Sequence, residues 1–452
     1  MADGVRRLAR ILKTVPDILR SGSAFLFAGL MLGNAVAYAY QMLMARMMLP
    51  ADYGSLVTLT SIWYVLAVVV LTVEARLIKA ASTARDAGHR QIHAVFSVAM
   101  RTLVSLGGIV FAVHWIASKW VARFFHLGAT TPVILLGLYA SSAFLVPVAR
   151  GVLLGLNRLH IAGAVQFLEP VARLVAGTIL VTLGLGVNGA LIGYVVGSSL
   201  AFVIAVVALW PLLHQSHSGS SISTALGVLD RYALLILLIN AGLMIISSID
   251  QIAVKHFFSA EVAGNYSVAF VLGRMIVMSA ISLGKVVLAR SAAIRSDDPR
   301  SARLLTRGLL VTLVIALSLT VCFLVAPKLF VRMMGGGQYS IADAYVGLVG
   351  IEMTLFALVY IQVYYQISMM RLQAVWILCL AATLGIALLA RYHATVQQVL
   401  MNLIFVMGGL LVCVSGLSWR FLRTDGHPKT TMARTFPGPD CSEERSHLEP
   451  LL

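Results

Sequence analysis

Charge is what this sequence has least of. Only 12% of its 452 residues are Asp, Glu, Lys or Arg, about half the share in a soluble globular chain. Hydrophobic residues make up 60% and the mean hydropathy is +0.91, a composition that excludes a soluble fold. Cysteine is scarce too: Cys322, Cys379 and Cys413 sit in apolar runs and Cys441 in a polar tail. Without a repeated spacing, these four give no disulfide framework and no zinc site. Also missing are a phosphate loop before a helix, a nucleophile elbow and a zinc signature, so no enzyme, ATPase or cofactor is expected. GGGQY at 335–339 is a loop before an apolar run, and HQSH at 214–217 has no acidic or cysteine companion, so no metal is expected there. No small-residue cleavage site follows the first apolar run, which is longer than a signal core.

What the sequence does contain is twelve apolar stretches of bilayer-spanning length, each about 20 residues. They run over 22–46, 54–75, 92–116, 130–149, 161–184 and 189–213, then 232–250, 263–288, 308–331, 341–366, 372–390 and 396–419. The predicted fold is all-α, a polytopic membrane protein with little room for a soluble domain. Its parts are a basic segment (1–21), an N-lobe of six helices (22–213), a Ser-rich linker (214–228), a C-lobe of six helices (229–420) and a disordered tail (421–452). In the first segment apolar residues recur at helical spacing between Arg6, Arg7, Arg10 and Lys13. That pattern suits either an amphipathic helix on an anionic leaflet or a positively charged topogenic start.

An even number of spans puts both termini on one side. That side carries 23 Lys and Arg residues against seven on the other, among them Arg46, Lys119, Lys255 and Arg391. The positive-inside rule therefore predicts cytoplasmic termini. Much of the net charge of +16 is then a topology signal, and nucleic acid is not an expected partner.

The halves echo each other. AGLM at 28–31 recurs at 241–244, and Arg46, Pro50, Ala51, Asp52 and Gly54 align with Lys255, Ser259, Ala260, Glu261 and Gly264. Six helices per half give both halves one orientation, hence a parallel repeat with its axis along the membrane normal. The stretches GNAVAYAYQMLMARMMLPADYG (33–54), RGVLLGLNR (150–158), LEPVARLVAG (168–177), SIDQIAVKHFFSAEVAGNYSVAFVLGR (248–274) and GGGQYSIADAYVG (335–347) resemble the polysaccharide transporters. These are lipid-linked oligosaccharide flippases of the superfamily that also holds multidrug extruders and the peptidoglycan-precursor flippase. The resemblance covers about 22–420 and rests on the order of degenerate motifs. It implies a V-shaped, two-lobed bundle that alternates access in the bacterial inner (plasma) membrane. Such a bundle would move an undecaprenyl-diphosphate-linked oligosaccharide outward, among membrane lipids, with polysaccharide polymerase and export proteins as partners.

Charges in mid-membrane cost roughly 2.5 to 3.5 kcal/mol each on insertion scales, so each needs a partner, water or a task. The deep set is Arg101, Arg173, Arg274 and Lys285 against Glu169 and Glu352. Glu169 and Arg173 share a helix face and are expected to pair structurally. Arg274 lies roughly 17 Å into its span, and Lys285 follows three turns later on the same face. Together with Arg101 they are the candidate diphosphate ligands. For Arg274 the alternative is bonding to backbone carbonyls, and for Arg101 it is pairing with Glu74. Glu352 is a candidate coupling group or the partner of an interhelical hydrogen bond. Tyr38, Tyr40, Trp63, Tyr64, Tyr266, Tyr360, Tyr364 and Tyr365 could stack on sugars where they face the cleft. Four deep bases against two acids favour an anionic cargo. The competing readings are a cation-coupled exporter of drugs or metabolites on the same scaffold and a non-transporting scaffold for polysaccharide assembly.

Overall fold

The computed structural model describes residues 22–87, 89–213, 231–292, 299–369 and 371–424. The basic segment 1–21, the linker with HQSH, and the tail from 425 fall outside them. The described residues form helices and connecting turns, as a bilayer requires: without water in the hydrocarbon, backbone amides and carbonyls must bond within their own segment.

The first half contributes α1 (Gly22–Met47), α2 (Pro50–Ala87), α3 (His89–Phe124), α4 (Thr131–Gly155), α5 (Leu159–Leu180) and α6 (Gly186–Leu213). The second half contributes α7 (Arg231–Ile246), α8 (Ile249–Phe257), α9 (Ala260–Ala292), α10 (Pro299–Val325), α11 (Pro327–Gly335), α12 (Asp343–Ser368), α13 (Ala374–Arg391) and α14 (Val396–Thr424). Pro50, Pro299 and Pro327 each open a helix, where the missing amide would have had no partner anyway.

Ten helical stretches among the described residues are long and apolar enough to cross a membrane, or eleven with the bent pair α7–α8. One of the ten is Leu159–Leu212, 54 residues. As a single rod it would be about 80 Å long, far beyond the ~30 Å hydrocarbon core. It is instead a hairpin, reversed by a wide turn over Val181–Leu185 with Gly184 at φ 87° and Gly186 at φ 50°. Past the turn, α6 lies directly on α5: a Cβ on Gly193 would come within 2.8 Å of the Gly177 amide, and one on Gly197 within 2.7 Å of the Glu169 carbonyl. With that stretch divided, the described spans number six on either side of residues 214–230.

Each group of six packs mainly on itself, α5 between α1 and α6, and α12 between α9, α10 and α14. The outer surface is apolar, with Trp115, Ile116, Trp120 and Trp376 exposed, as lipid contact favours. The lobes meet through α2 against α7 and α9, and through α1 against α11.

At one end of that seam the packing is closest. This far side, opposite the start of α1 and the end of α14, brings Gly54 and Gly264 together. A Cβ on Gly54 would lie 2.9 Å from the Gly264 amide, and one on Gly264 only 1.9 Å from the Pro50 carbonyl. These are residues aligned with each other in the sequence repeat. Equivalent positions of a two-fold repeat touch only near its axis, so this contact agrees with a parallel arrangement. The seam is tied by Arg46 Nη2 to the Met333 carbonyl (2.7 Å), Tyr339 Oη to the Ala45 carbonyl (2.8 Å), Gln338 Nε2 to the same carbonyl (2.6 Å) and Gln251 Nε2 to Thr58 Oγ1 (2.8 Å).

Several boundaries differ from those expected. The seventh span does not end at 250: it breaks at Ser247–Ser248, bends by 44°, and continues as α8 to Phe257. Its polar face turns onto the other lobe, so Lys255, expected in an external loop, is 2% exposed and donates to Ser55 Oγ at 3.0 Å. The ninth span stops at Val325, because Pro327 starts the separate helix α11. That helix buries Val331 and Met334 and exposes Leu329 and Met333. The α2 and α3 helices run well past their apolar stretches, since the polar turns beyond a bilayer carry no signal to unwind.

Candidate functional site

Midway along the seam a cavity of about 220 Å³ opens between the lobes. Its N-lobe wall comes from α1 (Gly33, Asn34, Ala37, Tyr38, Gln41), α2 (Val57, Thr60, Tyr64), α5 (Gln166, Glu169, Pro170, Arg173) and α6 (Tyr194). The C-lobe wall is α9, with Phe270, Val271, Arg274 and Met278. Uncharged hydrogen-bonding side chains and apolar or glycine residues contribute equally to the lining, and its formal charges are two guanidiniums and one carboxylate.

Arg274 sits fourteen residues into α9, about 21 Å along its axis, and is 5% exposed. Its Nη1 donates to Ser247 Oγ at 3.2 Å, in the break between α7 and α8, and reaches the Ser247 carbonyl at a marginal 3.5 Å. A helix break inside a membrane frees carbonyls that need donors, so the carbonyl-bonding alternative for Arg274 has a structural counterpart. The guanidinium is not consumed by it. Its carbon stands 4.2 Å from the centre of the Tyr64 ring on the opposite lobe, and its Nε has no hydrogen-bond partner among the described residues.

Arg173 makes the matching arrangement on the N-lobe. Its Nη2 meets Glu169 Oε1 at 3.1 Å, the expected pair one helical turn apart, and its guanidinium lies 4.3 Å from the Tyr194 ring centre. Its Nε too is without a hydrogen-bond partner among the described residues. Each arginine therefore stacks on a tyrosine and keeps unspent donor capacity at the cavity.

The other expected ligands are placed differently. Arg101 is exposed on the outside of α3 and does not line the cavity. Nor does it pair with Glu74, which is held by Arg150 in a two-pronged bridge of 2.6 and 2.8 Å. Arg150 also donates to Gln166 Oε1 at 2.7 Å, which ties this bridge to the cavity wall. Lys285 belongs to α9, but its side chain lies outside the described residues. Glu352 is 1% exposed inside the C-lobe. Among the described residues neither of its oxygens has a hydrogen-bond partner, which the interhelical hydrogen bond considered above would have supplied. Its electrostatic neighbour is Asp250, whose Oδ2 accepts from Tyr266 at 2.5 Å.

Of the eight aromatic candidates only Tyr38 and Tyr64 line the cavity. Tyr40 donates to the Ala190 carbonyl (2.8 Å) and Tyr364 to Asn240 (2.9 Å). Trp63 packs on Tyr139 and Phe144, and Tyr360 stacks on Tyr364. Tyr365 shares a short bond with Ser301. Sequence reasoning missed Asn34, Gln41, Gln166 and Tyr194, uncharged residues that cost less to bury and so carry no warning signal.

A family profile described as "Polysaccharide biosynthesis protein" matches residues 43–344, which is 302 of 452 residues. The chain belongs to this family. Solved structures share its fold at low identity. A multidrug-resistance MATE transporter of the MOP superfamily, in an inward-facing conformation, matches with a TM-score of 0.69 at 12% identity, over 90% of this chain and 100% of that one. The lipid II flippase MurJ, inward closed, matches with 0.63 at 13%, over 89% of each chain. A MOP-superfamily transporter from Pyrococcus furiosus, described as having a binding pocket of reverse polarity, matches with 0.55 at 14%, over 89% and 96%. No curated protein matches the sequence. The chain is thus a multi-pass membrane protein of a polysaccharide-biosynthesis family, with the fold of these solved transporters and flippase.

Proposed function

We propose that this transporter flips an undecaprenyl-diphosphate-linked oligosaccharide across the inner membrane for cell-surface polysaccharide assembly, with its termini in the cytoplasm. The observation that carries the reading is the pair of tyrosine-stacked arginines, Arg173 and Arg274, facing one cavity from opposite lobes. A diphosphate presents oxygens in more than one direction, and a planar guanidinium is suited to grip them in a forked geometry. The amides of Asn34, Gln41 and Gln166 offer donors and acceptors to sugar hydroxyls, while the prenyl tail stays in lipid between the lobes. With the interior negative, moving each anionic charge outward gains about 2.3 kcal/mol per 100 mV.

Glu352, with Asp250 as its neighbour in charge, is the candidate coupling group: a buried carboxyl without hydrogen bonds changes its environment sharply on gaining or losing a proton. A cation-coupled drug exporter would present a predominantly acidic cavity, whereas this one carries two bases against Glu169. Reconstitution of the full chain in liposomes separates the two readings. Flipping of a fluorescent undecaprenyl-diphosphate saccharide without transport of a cationic dye is expected, and dye transport without flipping would overturn the proposal.

A further inference from the structure

We infer that Glu169 is the site's internal anion: it occupies Arg173 while the cavity is empty, gives way to the cargo's phosphoryl oxygens, and reclaims Arg173 to release them. The inference rests on the cargo reading above.

Three observations carry it. First, Glu169 and Arg173 both line the cavity, with side chains only 17% and 14% exposed, so the pair lies in the path of a ligand. Second, the contact is a single one, Nη2 to Oε1 at 3.1 Å, with the arginine's Nε unpartnered. The two-pronged Glu74–Arg150 bridge, at 2.6 and 2.8 Å, shows what a settled structural pair looks like in the same lobe. Third, the displaced carboxylate has somewhere to go. Arg150, Tyr139 of α4 and Tyr194 of α6 are its electrostatic neighbours, and Arg150 is a cation. The backbone beneath the pair is fixed by the close approach of Gly197 and Gly193 to α5, so exchange needs only side-chain rotation.

Charge arithmetic gives the step its purpose. A diphosphodiester carries one negative charge on each phosphoryl group, which two free guanidiniums balance. Once Glu169 returns to Arg173, the cavity holds one cation fewer for the cargo. A site without this internal competitor would bind the cargo more firmly in the ground state and gain nothing in rate from it.

The test uses the full chain in nanodiscs with farnesyl diphosphate as the binding probe, and in liposomes with the labelled lipid-linked saccharide. Glu169→Gln is expected to bind the probe roughly tenfold tighter, because a charge-assisted contact no longer has to be broken first. It is expected to flip the saccharide more slowly at saturation. Glu169→Asp, a milder change, should move both readouts in the same direction by less, and decides the matter if the Gln variant does not accumulate. In Arg173→Ala the Gln substitution should no longer tighten binding. Unchanged affinity in both Glu169 variants, or parallel loss of binding and flipping, would overturn the inference. If Arg173→Ala and Arg274→Ala still weaken the probe, the cargo reading survives that failure. If neither weakens it, the reading itself is wrong.

Discussion

The two lobes touch at the far-side seam and face each other across the mid-depth cavity, and the two regions are built on opposite rules. In the seam, glycines let backbones meet, and side chains such as Tyr339, Gln338 and Arg46 spend their donors on carbonyls. In the cavity, both arginines leave an Nε unspent and lie beside amides and hydroxyls. Buried polar groups are normally satisfied. On the proposed reading, donors left open on both walls of one cavity mark a place where stability has been given up for binding, whereas the seam holds the halves in register.

Substitutions can sharpen this contrast. The largest effect is expected from Gly264→Leu: a side chain directed at the Pro50 carbonyl, 1.9 Å from where its Cβ would sit, forces the seam apart. A stability loss of at least about 3 kcal/mol is expected, read as a lower melting temperature and low membrane abundance. Next comes Arg274→Ala, expected to cut flipping by roughly tenfold to a hundredfold through the lost charge-assisted contacts. Membrane abundance should be nearly normal, because Ser247 Oγ keeps its bond to the Met244 carbonyl at 3.1 Å. Arg274→Lys should retain part of the activity. An abundant Arg274→Ala protein that flips normally would remove this residue from the site.

A smaller change, Tyr339→Phe, removes the seam's bond to the Ala45 carbonyl. About 1 kcal/mol of stability should be lost, with flipping affected less than by either arginine. Arg101→Ala, on the exposed outer face of α3, should shift stability by less than about 0.5 kcal/mol and leave flipping intact. A transport defect there would mean that the cavity is not where the cargo's charge is read.

Much of the scaffold was legible in the sequence because the bilayer enforces it. Span length and apolar runs located the helices, and the repeat aligned glycines 54 and 264, although nothing in the sequence marked them as a contact. Depth along a helix was legible too, which is why Arg274 stood out. Rotation about the helix axis was not. Whether Arg101 or Arg173 faces the cavity depends on which neighbour each helix packs against, and for α5 that is decided by glycines on α6. The break at Ser247–Ser248 also escaped notice, since it is supported by Arg274 from another helix and not by a local proline. Glu74 found its partner 76 residues away, beyond any local spacing rule.

The most direct test of the account is a flipping assay on the double variant Arg173→Ala, Arg274→Ala. Liposomes carrying wild-type protein, the double variant or no protein would be loaded with labelled undecaprenyl-diphosphate saccharide, and its appearance in the opposite leaflet followed over time. The expected result is transport by the wild type and a background rate for the double variant, with its melting temperature close to wild type. A well-folded double variant that flips the lipid at the wild-type rate would contradict the claim that these two guanidiniums hold the cargo.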